Sequence, residues 1–357
     1  MLIVKKDQIE TPALLVDLNI LEANIQKMAG YFDGKKAKLR PHFKTHKCPA
    51  IAHLQMDAGA KGITCAKLGE AEVLAEAGIR DILIANQIVD ESKIRRLAGL
   101  ANNAKITVCV DNMQNISELS QAAEAHGSTV YVLVEVEVGM QRCGVDTKEE
   151  VLKLAREICT SRGLVFDGLQ AYAGQLSHNP SRSERIKGIS EAEAKVLEIK
   201  DFLEKNAIPV NEISGAGTGT FDILGSREIW TEIQAGSYVF MDTDYGRLDL
   251  EFENALTVLT TVIHKRPGFA ITDAGLKVCC QEKGKPAVRD HPELSVLLLS
   301  EEHGKIKDER NELKFLQKLE YIPSHCCAAV NLHDHYYCVR NGLLETVWHI
   351  SGRGKSR

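Results

Sequence analysis

The alternation of short apolar runs with helical patterns over the first two-thirds of the sequence constrains the fold more than any other feature. Such alternation predicts parallel strands joined by helical crossovers. Eight runs read as strands, and eight units favour a closed (β/α)8 TIM-like barrel over an open sheet. The predicted strands cover residues 37–44, 62–66, 81–85, 105–111, 130–137, 164–172, 212–215 and 232–236.

Helical spacing fills the segments between these runs. Thr147 and Glu150 form a capping box in front of apolar positions that run from Val151 to Ile158. A long helix is predicted over residues 182–205, before Pro209. The segments between the predicted strands are therefore the crossovers that a parallel barrel needs.

The pattern changes after about residue 250, where β-rich segments follow one another without long helices. They cover residues 256–264, 268–272, 295–300 and 336–340, and Asn341-Gly342 is a strong hairpin turn signal. We expect the barrel over residues 17–250 and a smaller, mostly β domain over 251–357. Residues 1–16 could join that second domain, with 1–4 as an added strand.

Composition excludes several classes of protein. Hydrophobic residues make up 44% and charged residues 26%, as in ordinary globular chains, and the net charge of −5 gives no basic field for nucleic acid. The apolar stretches are too short to span a membrane, and MLIVKK lacks the apolar core of a secretory signal. The ten cysteines are therefore expected to be reduced, and the protein cytoplasmic.

Function in a barrel sits at the carboxyl ends of the strands. The first predicted strand leads into RPHFKTHK at residues 40–47, which contains Lys44. At that place Lys44 would be partly desolvated and near other cations, and both effects favour an amine that forms a Schiff base. The residues alone leave open a plain solvated basic turn.

Two glycine-rich loops follow the seventh and eighth predicted strands. Glycines let backbone N–H groups converge on an anion, and these loops commonly bind phosphate in barrels. The first loop lacks the ending of a P-loop, which disfavours a nucleoside triphosphate. The candidate phosphate-binding residues are Ser214, Gly217, Thr218, Gly219 and Thr220 in the first loop, and Gly236, Ser237 and Tyr238 in the second.

Three further positions carry candidate chemistry. His325 and Cys327 would point to the same side of an extended segment and could share a Zn²⁺ ion, unless they are merely a buried histidine and thiol. His178, after the sixth strand, is a candidate general base or an exposed loop histidine. Arg142, after the fifth strand, could hold an anion or phenolate, or form a structural ion pair.

These segments together resemble the pyridoxal-phosphate (PLP) enzymes of the alanine-racemase type, also called fold type III. The subgroup that matches contains D-threonine aldolase, 3-hydroxy-D-aspartate aldolase and D-serine dehydratase. The resemblance extends over essentially the whole chain, through RPHFKTHK (40–47), RCGV (142–145), LQAYAGQLSH (169–178), SGAGTGT (214–220), QAGSYVFMDTDYGR (234–247) and PSHCC (323–327).

The resemblance implies a role for each candidate. Lys44 would bind PLP covalently, the two glycine loops would bind its phosphate, and Arg142 and Tyr172 would lie beside its ring. His178 would be a catalytic histidine, and His325 and Cys327 would bind a divalent metal. Aldolases of the subgroup usually read His-Cys-Asp-Pro-Thr at the metal, whereas this chain has Cys327 at the third position. Thiolate favours Zn²⁺, with Mn²⁺ or Mg²⁺ as alternatives.

The resemblance implies a lyase that acts on small D-β-hydroxy amino acids. Retro-aldol cleavage to glycine and an aldehyde or glyoxylate is the first hypothesis. The second is β-elimination to a keto acid and ammonia. A PLP carrier without catalytic activity and a metal-dependent barrel hydrolase remain as alternatives of other classes. The resemblance also implies a homodimer.

Overall fold

The computed structural model describes residues 4–357. The chain divides into two compact units. The barrel unit comprises Ala29–Lys44, Ile51–Gly236 and Gly354–Arg357, and the sheet unit comprises residues 4–28, Thr45–Ala50 and Ser237–Arg353. The sequence-based boundary near residue 250 stays a prediction.

The elements alternate as expected in the first two-thirds of the chain. The strands are β1 Ala13–Asp17, β2 Lys38–Leu39, β3 Ile63–Cys65, β4 Asp81–Gln87, β5 Lys105–Val110, β6 Val130–Glu135, β7 Leu164–Ala171, β8 Glu212–Gly215, β9 Glu232–Ile233, β10 Leu256–Arg266, β11 Gly268–Thr272, β12 Ala287–Val288, β13 Ser295–Leu299, β14 Gly304–Asp308, β15 Lys318–Ile322, β16 His335–Arg340 and β17 Leu343–His349. The helices are α1 Leu18–Phe32, α2 Pro49–Asp57, α3 Leu68–Glu76, α4 Glu91–Leu100, α5 Met113–His126, α6 Lys148–Thr160, α7 Arg182–Lys205, α8 Phe221–Leu224 and α9 Cys326–Val330. Among these described elements, no helix is long and apolar enough to cross a membrane.

The barrel unit contains eight parallel strands in the order β2-β9-β8-β7-β6-β5-β4-β3. The two ends of this order meet through a parallel bridge between His42 and Thr64, and the Phe43 N–H donates to the Thr64 carbonyl at 2.7 Å. The sheet is therefore closed, and the predicted (β/α)8 barrel is confirmed. Each of the eight predicted strands is present, although β2 is only two residues long.

Capping residues fix where two of the crossover helices begin. The Thr147 hydroxyl accepts the Glu150 N–H at 3.2 Å, and the Glu150 carboxylate accepts the Thr147 N–H at 3.1 Å, so the predicted capping box is confirmed. Helix α7 has the predicted bounds and begins after Ser181, whose hydroxyl accepts the Glu184 N–H. These caps satisfy backbone donors that have no partner within a helix.

Charged side chains pair with one another at the amino-terminal ends of the barrel strands. Arg40 is buried and donates to Glu232 at 2.7 Å and to Asp81 at 2.7 Å. Lys61 lies 3.0 Å from Glu232 and also pairs with Glu212. Burial alone would raise the pKa of Glu232, but the charges of Arg40 and Lys61 hold it below its ordinary value. We call these five residues the ion cluster.

The sheet unit is built on a nine-stranded, mostly antiparallel sheet. Strand β1 lies inside this sheet and pairs antiparallel with β10 and parallel with β16. The four predicted β segments after residue 250 are confirmed as β10, β11, β13 and β16. The predicted turn is confirmed as well, because Asn341 and Gly342 join β16 to β17 with φ values of 51° and 78°.

One strand of this unit differs from the prediction. The sequence suggests a strand at residues 1–4, of which 1–3 lie outside the described residues. Val4 is not in a strand, although its carbonyl accepts the Leu344 N–H at 2.9 Å. The added strand is instead β1, because Ala13–Val16 is an apolar run whose residues are all buried.

Candidate active site

Lys44 lies at the carboxyl-terminal end of the barrel, in a turn beyond β2. Its N–H donates to Nδ1 of His42 at 3.3 Å, and its Nζ lies 5.9 Å from the centroid of the Tyr172 ring. The expectation that Lys44 is partly desolvated is wrong, because the residue is exposed. The strand ends at Leu39, five residues earlier than its sequence suggests, so the lysine is not carried on a buried strand end.

Arg142 approaches the same aromatic ring from the loop after β6. Its Cζ lies 5.6 Å from the Tyr172 ring centroid, and its side chain is 49% exposed. Tyr172 follows β7 directly, and its hydroxyl lies 3.4 Å from the hydroxyl of the buried Ser177. Lys44, Arg142 and Tyr172, three of the predicted site residues, therefore lie together at one place in the barrel unit.

The first glycine-rich loop follows β8 and is completely buried. A Cβ atom at Gly217 would come within 2.9 Å of the Ser177 hydroxyl and 3.5 Å of the Tyr172 hydroxyl. The Gly217 N–H donates to the Thr220 hydroxyl at 3.3 Å, and Ser214 and Thr218 are also buried. Glycine at position 217 therefore keeps hydroxyl groups and backbone donors close together, as an anion-binding loop requires.

The second glycine-rich loop is divided between the two units. Gly236 belongs to the barrel unit, whereas Ser237 and Tyr238 belong to the sheet unit. Both Gly236 and Ser237 are buried. Tyr238 is fully buried, with its ring 5.6 Å from that of Phe252.

His178 lies in the segment that joins β7 to α7 and is partly buried. Arg185, fully buried in α7, donates to the carbonyl of Asn179 at 2.7 Å and to that of Pro180 at 3.3 Å. The two residues that follow His178 are thus fixed to the first turns of α7. This anchoring limits the conformations that the histidine can adopt.

Two polar residues beside Arg142 have no part in the sequence-based prediction. Glu135, the last residue of β6, is 5% exposed and lies 3.7 Å from Nη2 of Arg142. Gln87, the last residue of β4, donates to the Glu135 carboxylate. Burial raises the pKa of Glu135, against the hydrogen bond from Gln87 and the charge of Arg142. Their signal in the sequence is a polar residue at the carboxyl end of a barrel strand.

His325 and Cys327 belong to the sheet unit, and each contributes to the shifted pKa of the other. The expectation of an extended segment is wrong beyond His325, since α9 begins at Cys326. Nδ1 of His325 lies 3.0 Å from the Glu282 carboxylate, and Sγ of Cys327 lies 3.3 Å from the Thr45 hydroxyl. The two side chains therefore have different partners, Glu282 for His325 and Thr45 for Cys327.

The pKa values of His325 and Cys327 are both shifted by burial and by neighbouring groups. Burial opposes the imidazolium, but the hydrogen bonds to Cys327 and Glu282 raise the pKa of His325 to about 9. Hydrogen bonds, first from Cys326 and then from His325, lower the pKa of Cys327 well below its ordinary value. Asp242, which the sequence analysis missed, accepts the Cys326 N–H at 2.8 Å and so fixes the start of α9.

The donor chemistry of the pair suits Zn²⁺, because imidazole and thiolate are both good zinc ligands. Over residues 4–357, no group of three or more His, Cys, Asp or Glu side chains is arranged as a metal site. An ion bound by these two side chains alone would have positions left for water or substrate.

The residues at the carboxyl-terminal end of the barrel fit PLP. An accessible amine at Lys44, a guanidinium at Arg142 and a buried loop of hydroxyls and glycines match the aldehyde, the phenolic oxygen and the phosphate of that group. A closed (β/α)8 barrel that has these groups at its carboxyl-terminal end is typical of PLP-binding barrel enzymes.

Comparison with known proteins agrees with this class. The family model described as "Alanine racemase, N-terminal domain" matches residues 16–244, and one described as "Putative serine dehydratase domain" matches residues 255–339. The chain belongs to the alanine-racemase-type family of PLP enzymes, and within it the chain is a PLP-dependent lyase.

Three relatives are similar over almost the full length. A 3-hydroxy-D-aspartate aldolase of Paracoccus denitrificans (strain Pd 1222) is 41% identical, covering 98% of this chain and 94% of that protein. A D-threonine aldolase of an Arthrobacter species is 42% identical with the same coverage. The crystal structure of D-threonine aldolase from Filomicrobium marinum matches with a TM-score of 0.98 and 38% identity, covering 100% and 99% of the two chains.

A more distant relative has a different activity in its name. The D-threo-3-hydroxyaspartate dehydratase of Delftia sp. (strain HT23) is 29% identical, covering 77% of this chain and 74% of that protein. Both reaction classes considered in the sequence analysis are therefore represented among the relatives.

Proposed function

We propose that this protein cleaves D-β-hydroxy amino acids by a retro-aldol reaction, giving glycine and an aldehyde or glyoxylate. The proposal rests on sequence identity. Two aldolases are 41% and 42% identical to this protein over alignments that cover 98% of the chain. The substrate is a small D-amino acid with a hydroxyl group on Cβ.

Each candidate residue has a role in this proposal. Lys44 holds PLP covalently, Arg142 and Tyr172 lie beside its ring, and its phosphate is bound by Ser214, Gly217, Thr218, Gly219, Thr220, Gly236, Ser237 and Tyr238. The bound cofactor supplies an electron sink for the pair released at Cα. His178 takes the proton of the β-hydroxyl as the Cα–Cβ bond breaks, and Cα then receives a proton.

His325 and Cys327 hold a divalent metal in the same proposal, with Zn²⁺ favoured over Mn²⁺ and Mg²⁺. An imidazole and a thiol of lowered pKa, two residues apart, support a shared ion. Cys327→Asp provides a sharp test, because a carboxylate prefers harder ions. We expect metal analysis to find bound Zn²⁺ in the parent protein and reduced Zn²⁺ affinity in Cys327→Asp. The exposed Cys159→Ala is the control, and equal Zn²⁺ binding by all three proteins would contradict the metal assignment.

β-Elimination is the second candidate. It is favoured by the cysteine at position 327, where aldolases of this subgroup usually have aspartate. Incubation with D-threonine separates the two reactions, because retro-aldol cleavage gives glycine and acetaldehyde while elimination gives 2-oxobutyrate and ammonia. The second product pair alone would overturn the aldolase proposal. D-Serine and 3-hydroxy-D-aspartate extend the same test to the choice of substrate.

Borohydride reduction followed by peptide mapping tests the cofactor assignment itself. We expect the reduced cofactor on Lys44. A label on Lys44 without turnover of any D-hydroxy amino acid would support the carrier hypothesis. The absence of a label, together with metal-dependent hydrolysis, would support the barrel hydrolase.

We further propose a homodimer in the cytoplasm. Phe315 and Leu316, in the loop before β15, are 63% and 64% exposed, and apolar side chains in this position suit contact with a second copy. None of the cysteines that the structure describes is in a disulfide, which suits a reducing compartment. Sedimentation of the purified protein tests the dimer, and a species of about 39 kDa alone would contradict it.

A further inference from the structure

The loop that carries Arg142 is closed at its base by backbone contacts. Val136 and Val145 form a parallel bridge across it. The Val145 N–H donates to the Glu135 carbonyl at 3.0 Å, and the Glu137 N–H donates to the Val145 carbonyl at 3.1 Å. The loop therefore returns to the strand from which it departs.

The interior of the loop is filled as well. The Glu137 carboxylate accepts the N–H groups of Gly139 and Arg142, the latter at 3.3 Å. Gly144 has a φ of 101°, and a Cβ there would come within 2.8 Å of the Glu137 nitrogen, so only glycine fits. The Gly144 N–H donates to Asp111 at 3.1 Å. The backbone beneath the Arg142 side chain is thus held from several sides.

The Arg142 guanidinium is set by two further contacts. One oxygen of Glu135 lies 3.7 Å from Nη2, and the other oxygen accepts a hydrogen bond from Gln87. The Tyr172 ring lies on another side of the guanidinium. Because Glu135 is almost completely buried on the barrel and Arg142 is half-exposed, the carboxylate is the fixed partner of the pair.

We infer that Glu135 is a positioning residue that holds Arg142 where the guanidinium can bind the phenolic oxygen of PLP. A long arginine side chain without this partner would spend more time extended into solvent, and binding would then have to order it. Gln87 acts one step further away, by orienting the carboxylate. The inference rests on the proposed role of Arg142 at the cofactor.

The test compares four variants of the full-length protein: Glu135→Gln, Arg142→Ala, the double variant, and Asp146→Asn as the control. Asp146→Asn removes the same charge from an exposed position close by. PLP dissociation constants and the visible absorption band of the loaded protein are measured for each. These readouts distinguish positioning from a general loss of structure, which a thermal unfolding curve records separately.

We expect Glu135→Gln to weaken PLP binding about fivefold and to shift the absorption band, while Asp146→Asn stays within about twofold of the parent. If Glu135 acts through Arg142, the double variant binds PLP as Arg142→Ala does. Parent-like binding and absorption in Glu135→Gln would overturn the inference, as would a double variant in which the two losses multiply.

Gln87→Ala keeps the inference testable if Glu135→Gln does not fold. The expected result is a smaller loss of PLP affinity in the same direction, again absent when Arg142 is already alanine. Failure of the inference is distinguishable from failure of the proposed function. If the parent protein carries PLP on Lys44 and Gln87→Ala leaves its binding unchanged, only the inference fails. If the parent does not bind PLP, the proposed function fails as well.

Discussion

The two ends of the barrel use charge in opposite ways. At the amino-terminal end, the ion cluster pairs each buried charge with another side chain of the same end. At the carboxyl-terminal end, Lys44 and Arg142 lie against an aromatic ring and beside a buried glycine loop. In the ion cluster, oppositely charged side chains neutralise one another. At the carboxyl-terminal end, cations and hydrogen-bond donors are available to a ligand. The comparison separates residues that maintain the fold from residues that are proposed to bind the cofactor and react.

Lys44→Ala is the substitution with the largest expected effect on activity. Because the lysine supplies the only covalent attachment in the proposal, turnover should fall by at least about a thousandfold. The free energy of unfolding should change by less than about 0.5 kcal/mol, since the side chain is exposed. Lys38→Ala, at an exposed lysine in the first position of β2, is the control and should retain full turnover. Equal activity of the two variants would break the comparison.

Arg40→Met should have the largest effect on stability. Glu232 is 2% exposed, and the substitution removes its buried partner. Loss of one member of a buried pair typically costs about 3–5 kcal/mol, which urea denaturation measures. The control is Arg95→Met, which breaks an exposed pair within α4 and should change stability little. A similar midpoint for both variants would show that the ion cluster contributes no more than a surface pair.

Gly217→Ala addresses the carboxyl-terminal end without changing a charge. The added Cβ meets the Ser177 hydroxyl at 2.9 Å, so the loop must shift. We expect PLP affinity to fall about tenfold, with a loss of unfolding free energy of about 1 kcal/mol. Gly30→Ala in α1, where a Cβ would meet nothing within 4 Å, should leave PLP affinity unchanged. An unaffected PLP affinity in Gly217→Ala would remove this loop from the phosphate site.

The smallest expected effect is an acid dependence that belongs to the ion cluster. The pKa of Glu232 is lowered in the folded protein, so its contribution to stability is complete above the unfolded value of about 4.3 and is lost as the pH falls through the folded value. Unfolding midpoints between pH 6 and pH 3 should show this loss. Glu232→Gln should weaken the acid dependence, whereas the exposed Glu191→Gln should leave it as in the parent.

The barrel could be predicted from sequence because most of its strands are local runs of buried residues followed by a helix. The sheet unit was harder. Strand β1 is an apolar run, but its pairing with β16, more than three hundred residues away, has no local signal. Strand β17 alternates between exposed and half-buried positions and so lacks a buried apolar run. Short, mostly polar strands such as β14, Gly304–Asp308, depend on their neighbours rather than on their own composition.

Some residues of the candidate site could also be predicted from the sequence, and others could not. Lys44, Arg142 and Tyr172 stand in recognisable segments, and the structure places them together. Glu135, Gln87 and the ion cluster come from strand ends far apart in sequence. Only the register of a closed barrel brings such residues into contact, and no local pattern encodes that register.

The closure of the barrel also bears on the order in which the protein assembles. The two-residue strand before Lys44 has β9 on one side, and the bridge from His42 to Thr64 joins the chain just beyond that strand to β3 on the other side. During synthesis, the segment that is proposed to bind the cofactor therefore becomes paired on both sides only after nearly all barrel strands have been made. We therefore expect PLP to bind only after the barrel has closed. An incomplete chain would then not react with the aldehyde of free PLP.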